Sequence, residues 1–262
     1  VHFTHVVRMK NMEIAKLINK LISFSMHFIA KRIESVITVN DTMTEYFKNY
    51  NRNSYTIPSI MTQSFVINFD FPRRHFIYFG QFGNGGQDQI ILDAARILKR
   101  QRSIAKILIV GGYQPKEISM YNEFISIVQK EQLQDNIQIE QWLPREEAFA
   151  LLNTGLAGIM RFDTSYYNGL PTLPNKIFEY MASGMAIICC EMNIELKKIV
   201  EAEKCGVVID HENGEDLAKA ILYLYDNKDI SLEMGKNAYK ATQTKYNWNS
   251  YGDILDLIIK NS

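Results

Sequence analysis

Cysteine, net charge and long apolar runs are all scarce in this chain, and each shortage removes a class of protein. The three cysteines, Cys189, Cys190 and Cys205, show no paired C-x-x-C spacing. Two of them fall in an apolar run, where cysteine packs as a small hydrophobe, which fits a reducing compartment and a cytoplasmic location. The 29 basic and 29 acidic residues cancel, so no global field draws the chain to nucleic acid. No apolar stretch reaches the roughly 20 residues that span a bilayer. The segment Val1 to Lys20 is broken by His, Arg, Lys and Asn, unlike a secretory signal. The five histidines lack the spacing that holds zinc, such as H-x3-H with a carboxylate, and no Ser-His-Asp arrangement is discernible. There is no internal repeat, low-complexity tract or long linker.

What is present is an alternation. At 262 residues and 47% hydrophobic content, the chain has enough apolar material for one large or two small domains. Short β-branched or aromatic runs predict strands near Val36–Val39, Tyr55–Pro58, Phe76–Phe79, Lys106–Val110, Ile137–Glu140, Leu156–Met160, Ala186–Cys190 and Val207–Ile209. Amphipathic stretches between them predict helices, among them Met12–Ala30, Asp88–Arg102, Glu146–Asn153, Asn175–Ser183 and Ser231–Lys245. Such alternation calls for a doubly wound parallel sheet with helices on both faces, an α/β fold. A boundary is expected around Thr62 to Arg74, where the helical pattern lapses and Pro72-Arg73-Arg74 precedes a new strand.

The most informative stretch runs from Leu170 to Cys190. A helix beginning near Asn175 points unpaired N–H groups at the preceding loop, which makes a place for phosphate. Glu179 lies one turn further in, where a carboxylate can accept hydrogen bonds from sugar hydroxyls. Lys176 stands in the first turn, where a cation is disfavoured by the helix dipole unless an anion joins it. Gly184 ends the helix, and Met185 to Cys190 is continuously apolar, as in a strand covered on both faces. Upstream, Gly80-Gln81-Phe82-Gly83-Asn84-Gly85-Gly86 joins a strand to a helix, a weak phosphate-loop signal by itself. The next strand ends in Gly111-Gly112, without the acidic residue of a dinucleotide fingerprint, which weighs against an NAD enzyme.

PNKIFEYMASGMAII, FIYFGQFGNGGQDQIILDAARIL, KILIVGG and NIQIEQWLPREEAFALLNTGLAGIM together resemble the C-terminal, donor-binding domain of GT-B glycosyltransferases, the group 1 superfamily that includes family 4. The resemblance covers roughly Phe76 to Ser262. It implies a GT-B fold and transfer of a sugar from a nucleotide-sugar to a glycan or lipid-linked acceptor, in cell-surface polysaccharide synthesis. It places Glu179 on the ribose, Pro174 and Asn175 on the diphosphate and sugar, and Gly80, Gln81 and Gly83 in the glycine loop. Leu143, in the Trp142-Leu143-Pro144 loop, meets the base through its backbone, while packing in the core is the structural alternative for Trp142. No metal or other cofactor is implied, because cations and a helix start can stabilise the leaving diphosphate.

Several positions depart from the family. Where relatives place an Arg and a Lys in the glycine loop, this chain has Gln81 and Gly85 or Gly86, so Lys176 and Arg161 are the expected replacements in catalysis. The Glu that relatives carry eight residues before the ribose-binding one is Pro171 here. Asp163 is then the acid left to face the transferred sugar, against the blander role of a turn residue. Residues 1–72 resemble only the end of the family's N-terminal, acceptor-binding domain, and 73–262 its donor domain, with the last helix expected to pack back on the first. The chain opens on Val1, compatible with a fragment or an unusual start. This leaves a second expectation, a non-catalytic or partner-dependent half-protein completed by another chain, and a third, a GT-B epimerase. The basic amphipathic helix IAKLINKLISFSMHFIA can pack on the rest of the first domain or make peripheral contact with an anionic membrane.

Overall fold

The structure, a computed structural model, describes residues 12–60, 67, 69–70, 72–81, 87–113, 117–160 and 173–260. In chain order the elements are α1 (Met12–Ala30), β1 (Val36–Thr38), α2 (Asp41–Lys48), β2 (Ser54–Thr56), β3 (His75–Gln81), α3 (Gln87–Arg100), β4 (Lys106–Gly112), α4 (Ile118–Lys130) and β5 (Ile137–Glu140). They continue as α5 (Arg145–Leu152), β6 (Gly155–Ile159), α6 (Lys176–Ala182), β7 (Ala186–Cys190), α7 (Ile194–Ala202), β8 (Gly206–Ile209), α8 (Gly214–Asp226), α9 (Lys228–Thr244) and α10 (Trp248–Lys260). Two compact units divide them. One holds the described residues of Val1–Ile60, Thr164–Leu173 and Asn247–Ser262; the other holds those of Met61–Asp163 and Pro174–Tyr246.

In the first unit β1 and β2 form a two-stranded parallel sheet. Asn40 caps α2, its side chain accepting from Met43 N at 2.9 Å, which satisfies one of the N–H groups a helix start leaves open. The hydroxyls of Thr38, Thr44 and Thr56 join α2 to both strands, with Thr44 Oγ1 2.6 Å from Thr56 Oγ1. On α1, Leu17, Leu21, Phe24 and Phe28 are all exposed, and their spacing puts them on one stripe. Among the described residues no helix is long and apolar enough to cross a membrane.

The second unit is built on a six-stranded sheet in the order β5-β4-β3-β6-β7-β8, parallel at every pairing. Sequence order reverses between β3 and β6, so the crevice outside their carboxyl ends is where a doubly wound sheet binds ligands. The core is carried by Phe76, Ile107 and Ile188 of the sheet with Ile91, Leu98 and Leu217 of α3 and α8, and α3 lies against α8. β7 is buried throughout, as its unbroken apolar run predicts. Cys189, Cys190 and Cys205 are buried free thiols, and burial pushes those of Cys189 and Cys205 up to about 12, which keeps them unreactive.

β3 and β4 run further than their apolar residues alone predict. Gly80 and Gly111 are register partners, and both have positive φ, +115° and +126°, a conformation glycine tolerates without strain. The ladder therefore continues to Gln81 and Gly112 before the chain turns. α9 likewise begins three residues before the expected Ser231, because Asn227 closes α8 and the new helix starts directly after it with Asp229 in its first turn.

Candidate functional site

The site is organised by α6. Its Ile177, Phe178, Tyr180 and Met181 are buried, while Lys176 and Glu179 are half-buried on the other side. Gly184, at φ +65°, ends the helix in the left-handed conformation, its N–H donating to Met181 O at 3.0 Å. The start is tighter than the sequence predicts. Ile177 N donates to Pro174 O at 3.2 Å and Phe178 N to Asn175 O at 3.0 Å, so two N–H groups expected to face phosphate are already engaged in a 3₁₀-like turn. Asn175 is exposed and its side chain does not cap the helix. Lys176 is thus the strongest anion-attracting element of this turn.

Lys176 reaches across to the end of β3. Its Nζ lies 4.4 Å from the centroid of the Tyr78 ring and 3.7 Å from where a Cβ on Gly80 would sit. Tyr78 Oη in turn donates to Gln81 O at 2.7 Å, which fixes the backbone where the glycine loop begins. The fold therefore brings Lys176, Gly80 and Gln81 together. This is not a solvated surface lysine but an ammonium held over an aromatic face at the strand end.

Glu179 is not an exposed helix acid either. Half-buried, it makes no hydrogen bond or ion pair with the described residues through its carboxylate. Burial raises its pKa, opposed first by Lys176 and then by Arg145. Arg145 is a cation the sequence reading passed over. It opens α5 directly after Pro144, its guanidinium 5.5 Å from the Phe149 ring, and Phe149 meets Phe79 of β3 edge-on at 6.3 Å. Its signal was its place as the first residue of the helix that follows the Trp142-Leu143-Pro144 loop. In that loop Leu143 is half-buried, whereas Trp142 is 58% exposed. The core role for Trp142 is thereby corrected: the ring stands outside the carboxyl end of β5, with Nε1 donating to Tyr113 O at 3.5 Å.

Tyr180 positions the whole arrangement and was not singled out in the sequence. The β3–β6 ladder ends at Ile77–Gly158. Two residues on, Phe79 N donates to Tyr180 Oη at 2.7 Å, and that hydroxyl donates to Ile159 O at 3.4 Å. Gly158 makes this possible, since a Cβ there would stand 2.3 Å from the Tyr180 ring. One hydroxyl thus ties α6 to the ends of β3 and β6. Tyr180→Phe is expected to cost about 1–3 kcal/mol by leaving the Phe79 N–H unpaired; an unchanged denaturant midpoint would contradict this role.

Three expected site residues, Gly83, Arg161 and Asp163, lie outside the described residues. The rest, Gly80, Gln81, Leu143, Pro174, Asn175, Lys176 and Glu179, all belong to strand ends, loops or the helix start at the carboxyl rim of the sheet.

The fold has counterparts among solved structures. Anabaena HepE in complex with UDP aligns with a TM-score of 0.73 and 12% identity over 99% of this chain and 71% of its own. S. aureus TarM, solved with fondaparinux, alpha-GlcNAc-glycerol and UDP, aligns with a TM-score of 0.70 and 16% identity over 98% of this chain and 50% of its own. WaaG, a glycosyltransferase involved in lipopolysaccharide biosynthesis, aligns with a TM-score of 0.55 and 13% identity, over 85% of this chain and 62% of its own. These likenesses establish the GT-B fold, and this chain spans about half the length of TarM. No curated protein sequence matches it. The sequence profile of the family described as Glycosyl transferases group 1 matches residues 61–241, and the chain belongs to that family.

Proposed function

We propose that the second unit binds a nucleotide-sugar at the carboxyl rim of its sheet and serves transfer of the sugar to a glycan or lipid-linked acceptor. The observation that carries this is Glu179, a half-buried carboxylate with no hydrogen-bond donor among the described residues, in the field of Lys176 and Arg145. A burial cost of this kind is offset when a ligand supplies hydroxyl donors. In the proposed complex Glu179 accepts from the ribose hydroxyls and the Trp142-Leu143-Pro144 loop faces the base. The diphosphate lies between Lys176, Arg145 and the loop that starts at Gly80.

As the bond to the sugar breaks, negative charge grows on the departing nucleoside diphosphate, and fixed cations stabilise it more in the transition state than in the ground state. Lys176, with its ammonium held over Tyr78, supplies that charge without a metal in this reading; Arg161 and Asp163 remain proposed participants on the sugar side. The UDP in the HepE and TarM complexes supports a uridine nucleotide, and the role of WaaG supports cell-surface polysaccharide synthesis, with the reaction on the cytoplasmic side. The exposed stripe on α1 supports a covering partner, either further polypeptide that completes the acceptor-binding domain or an anionic membrane surface that carries the acceptor.

Isothermal titration with UDP, GDP and ADP tests the reading. Saturable binding of at least one is expected, and no heat from any of them at millimolar concentration overturns it. A second reading, a binding half-protein without transfer activity of its own, is favoured by the exposed, uncharged Gln81 at the end of β3. Donor binding without sugar transfer to any acceptor extract would select it.

A further inference from the structure

At the opposite, amino-terminal rim of the same sheet lies a cavity of about 540 Å³ whose walls include the starts of β3 and β4 and the first residue of α9. Its lining carries Arg73, Arg74, Lys106 and Lys228, with His75 beside them and Asp70 as the one acid. None of the four cations makes an ion pair with a described residue. On an exposed surface this would signify little. Here one of them is buried.

Arg73 is 5% exposed. Its Nη1 donates to Gly155 O at 2.9 Å and Ser183 O at 2.8 Å, which ties the start of β6 to the turn after α6. Its Nε and Nη2 have no hydrogen-bond partner among the described residues, and the Phe69 ring lies 5.0 Å from the guanidinium. A buried guanidinium without a carboxylate is costly unless an anion comes near. Burial lowers its pKa to about 10, so it is still charged at neutral pH. Next to it, His75 Nδ1 lies 2.9 Å from Thr154 Oγ1, and that hydroxyl already donates to Leu151 O at 2.7 Å. His75 Nδ1 is therefore the donor, and Nε2 is the nitrogen left to take a proton. Burial first, and then the positive charges of Lys106 and Arg74, lower the His75 pKa.

We propose that this cavity binds a phosphate monoester on a compact ring, at a site separate from the nucleotide-sugar site. Arg74, Lys106 and Lys228 meet the phosphate oxygens at the cavity mouth, with the Arg73 charge beneath them. The N-terminus of the 17-residue helix α9 adds its dipole in the same direction, and Ile104, Leu156 and Tyr225 offer apolar surface for the ring. The volume is in the range of small-molecule pockets. Seven residues of β3 separate the two rims, roughly 20 Å at 3.3 Å per residue, so one ligand does not occupy both.

The test is an NMR titration of the intact chain with inorganic phosphate and with glucose 1-phosphate at constant ionic strength in chloride. The readout is the His75 ring signal, assigned through His75→Gln. A saturable shift is expected, with a rise in the His75 pKa because a bound dianion favours the imidazolium, and with glucose 1-phosphate binding more tightly than phosphate. Lys106→Ala combined with Lys228→Ala should weaken both by about tenfold or more, while Lys176→Ala should leave them unchanged. Both substitutions in the double variant lie at partly or fully exposed positions, so folding is retained and checked by circular dichroism. A shift that does not saturate, an equal affinity in the double variant, a loss of affinity in Lys176→Ala instead, or binding of phosphate without the ester overturns the proposal.

Discussion

Replacing Lys176 by alanine is expected to lower sugar transfer about a hundredfold or more while leaving nucleoside affinity within about twofold. The size follows from losing one fixed charge-stabilising group, typically worth 10²–10³ in turnover. The selectivity follows from position. Lys176 Nζ sits over Tyr78 and beside Gly80 at the end of β3, on the side of α6 proposed to meet the diphosphate, whereas Glu179 lies a turn further along. Lys176→Arg keeps the charge but brings a planar, longer head over the Tyr78 ring, so partial activity is expected. Steady-state kinetics and nucleoside titration on the two variants check both statements. Equal loss of nucleoside and nucleoside diphosphate binding would place Lys176 in the fold and not in the chemistry.

Glu179→Ala should weaken nucleoside and nucleoside diphosphate together, by about 10- to 100-fold, since hydrogen bonds to a charged acceptor contribute about 1.5–3 kcal/mol. Its effect on stability should have the opposite sign from an ordinary carboxylate's. Burial raises the folded-state pKa of Glu179, so the folded chain holds that proton to higher pH than the unfolded one. The cost of ionising it is absent below the ordinary glutamate pKa and is fully present above the raised one. Glu179→Gln is therefore expected to raise the melting temperature at neutral pH, to leave it unchanged in acid, and to weaken nucleotide binding at neutral pH, a difference from the unaltered chain that shrinks in acid. Donor affinity of the unaltered chain should fall as pH drops through the raised pKa. A melting temperature lowered by Glu179→Gln at neutral pH would mean that the carboxylate stabilises the apo fold and is not held for a ligand.

Much of this was legible in the sequence because it depends on local pattern. The continuous apolar run of β7 could only be a covered strand, and its limits, Ala186–Cys190, are those the residues predict. Gly184 marked the end of α6, and the resemblance marked Glu179. What was not legible depends on residues far apart in sequence. The Lys176–Tyr78 and Tyr180–Phe79 contacts join α6 to β3, and no spacing announces them; only the parallel topology brings the two ends together. Arg145 was missed because a basic residue opening an exposed helix looks solvated until Glu179 is found within its field. The core alternative for Trp142 fails because its exposure is decided by the loop's place beyond the end of β5 and not by the apolar character of its ring. The tight start of α6 also escaped, since the choice between a 3₁₀-like and an α-helical first turn is made by packing of Ile177 and Phe178, both buried, and not by the motif around Asn175.

The central claim is that a nucleoside diphosphate lies at the carboxyl rim with its ribose on Glu179 and its diphosphate on Lys176. It is tested most directly by the ratio of UDP to uridine affinity, measured by calorimetry on the unaltered chain and on Lys176→Ala. The account predicts that uridine binds both alike and that the ratio falls about tenfold or more in the variant, the loss of one charged hydrogen-bond partner. A ratio that stays the same in Lys176→Ala, with UDP bound, would contradict it.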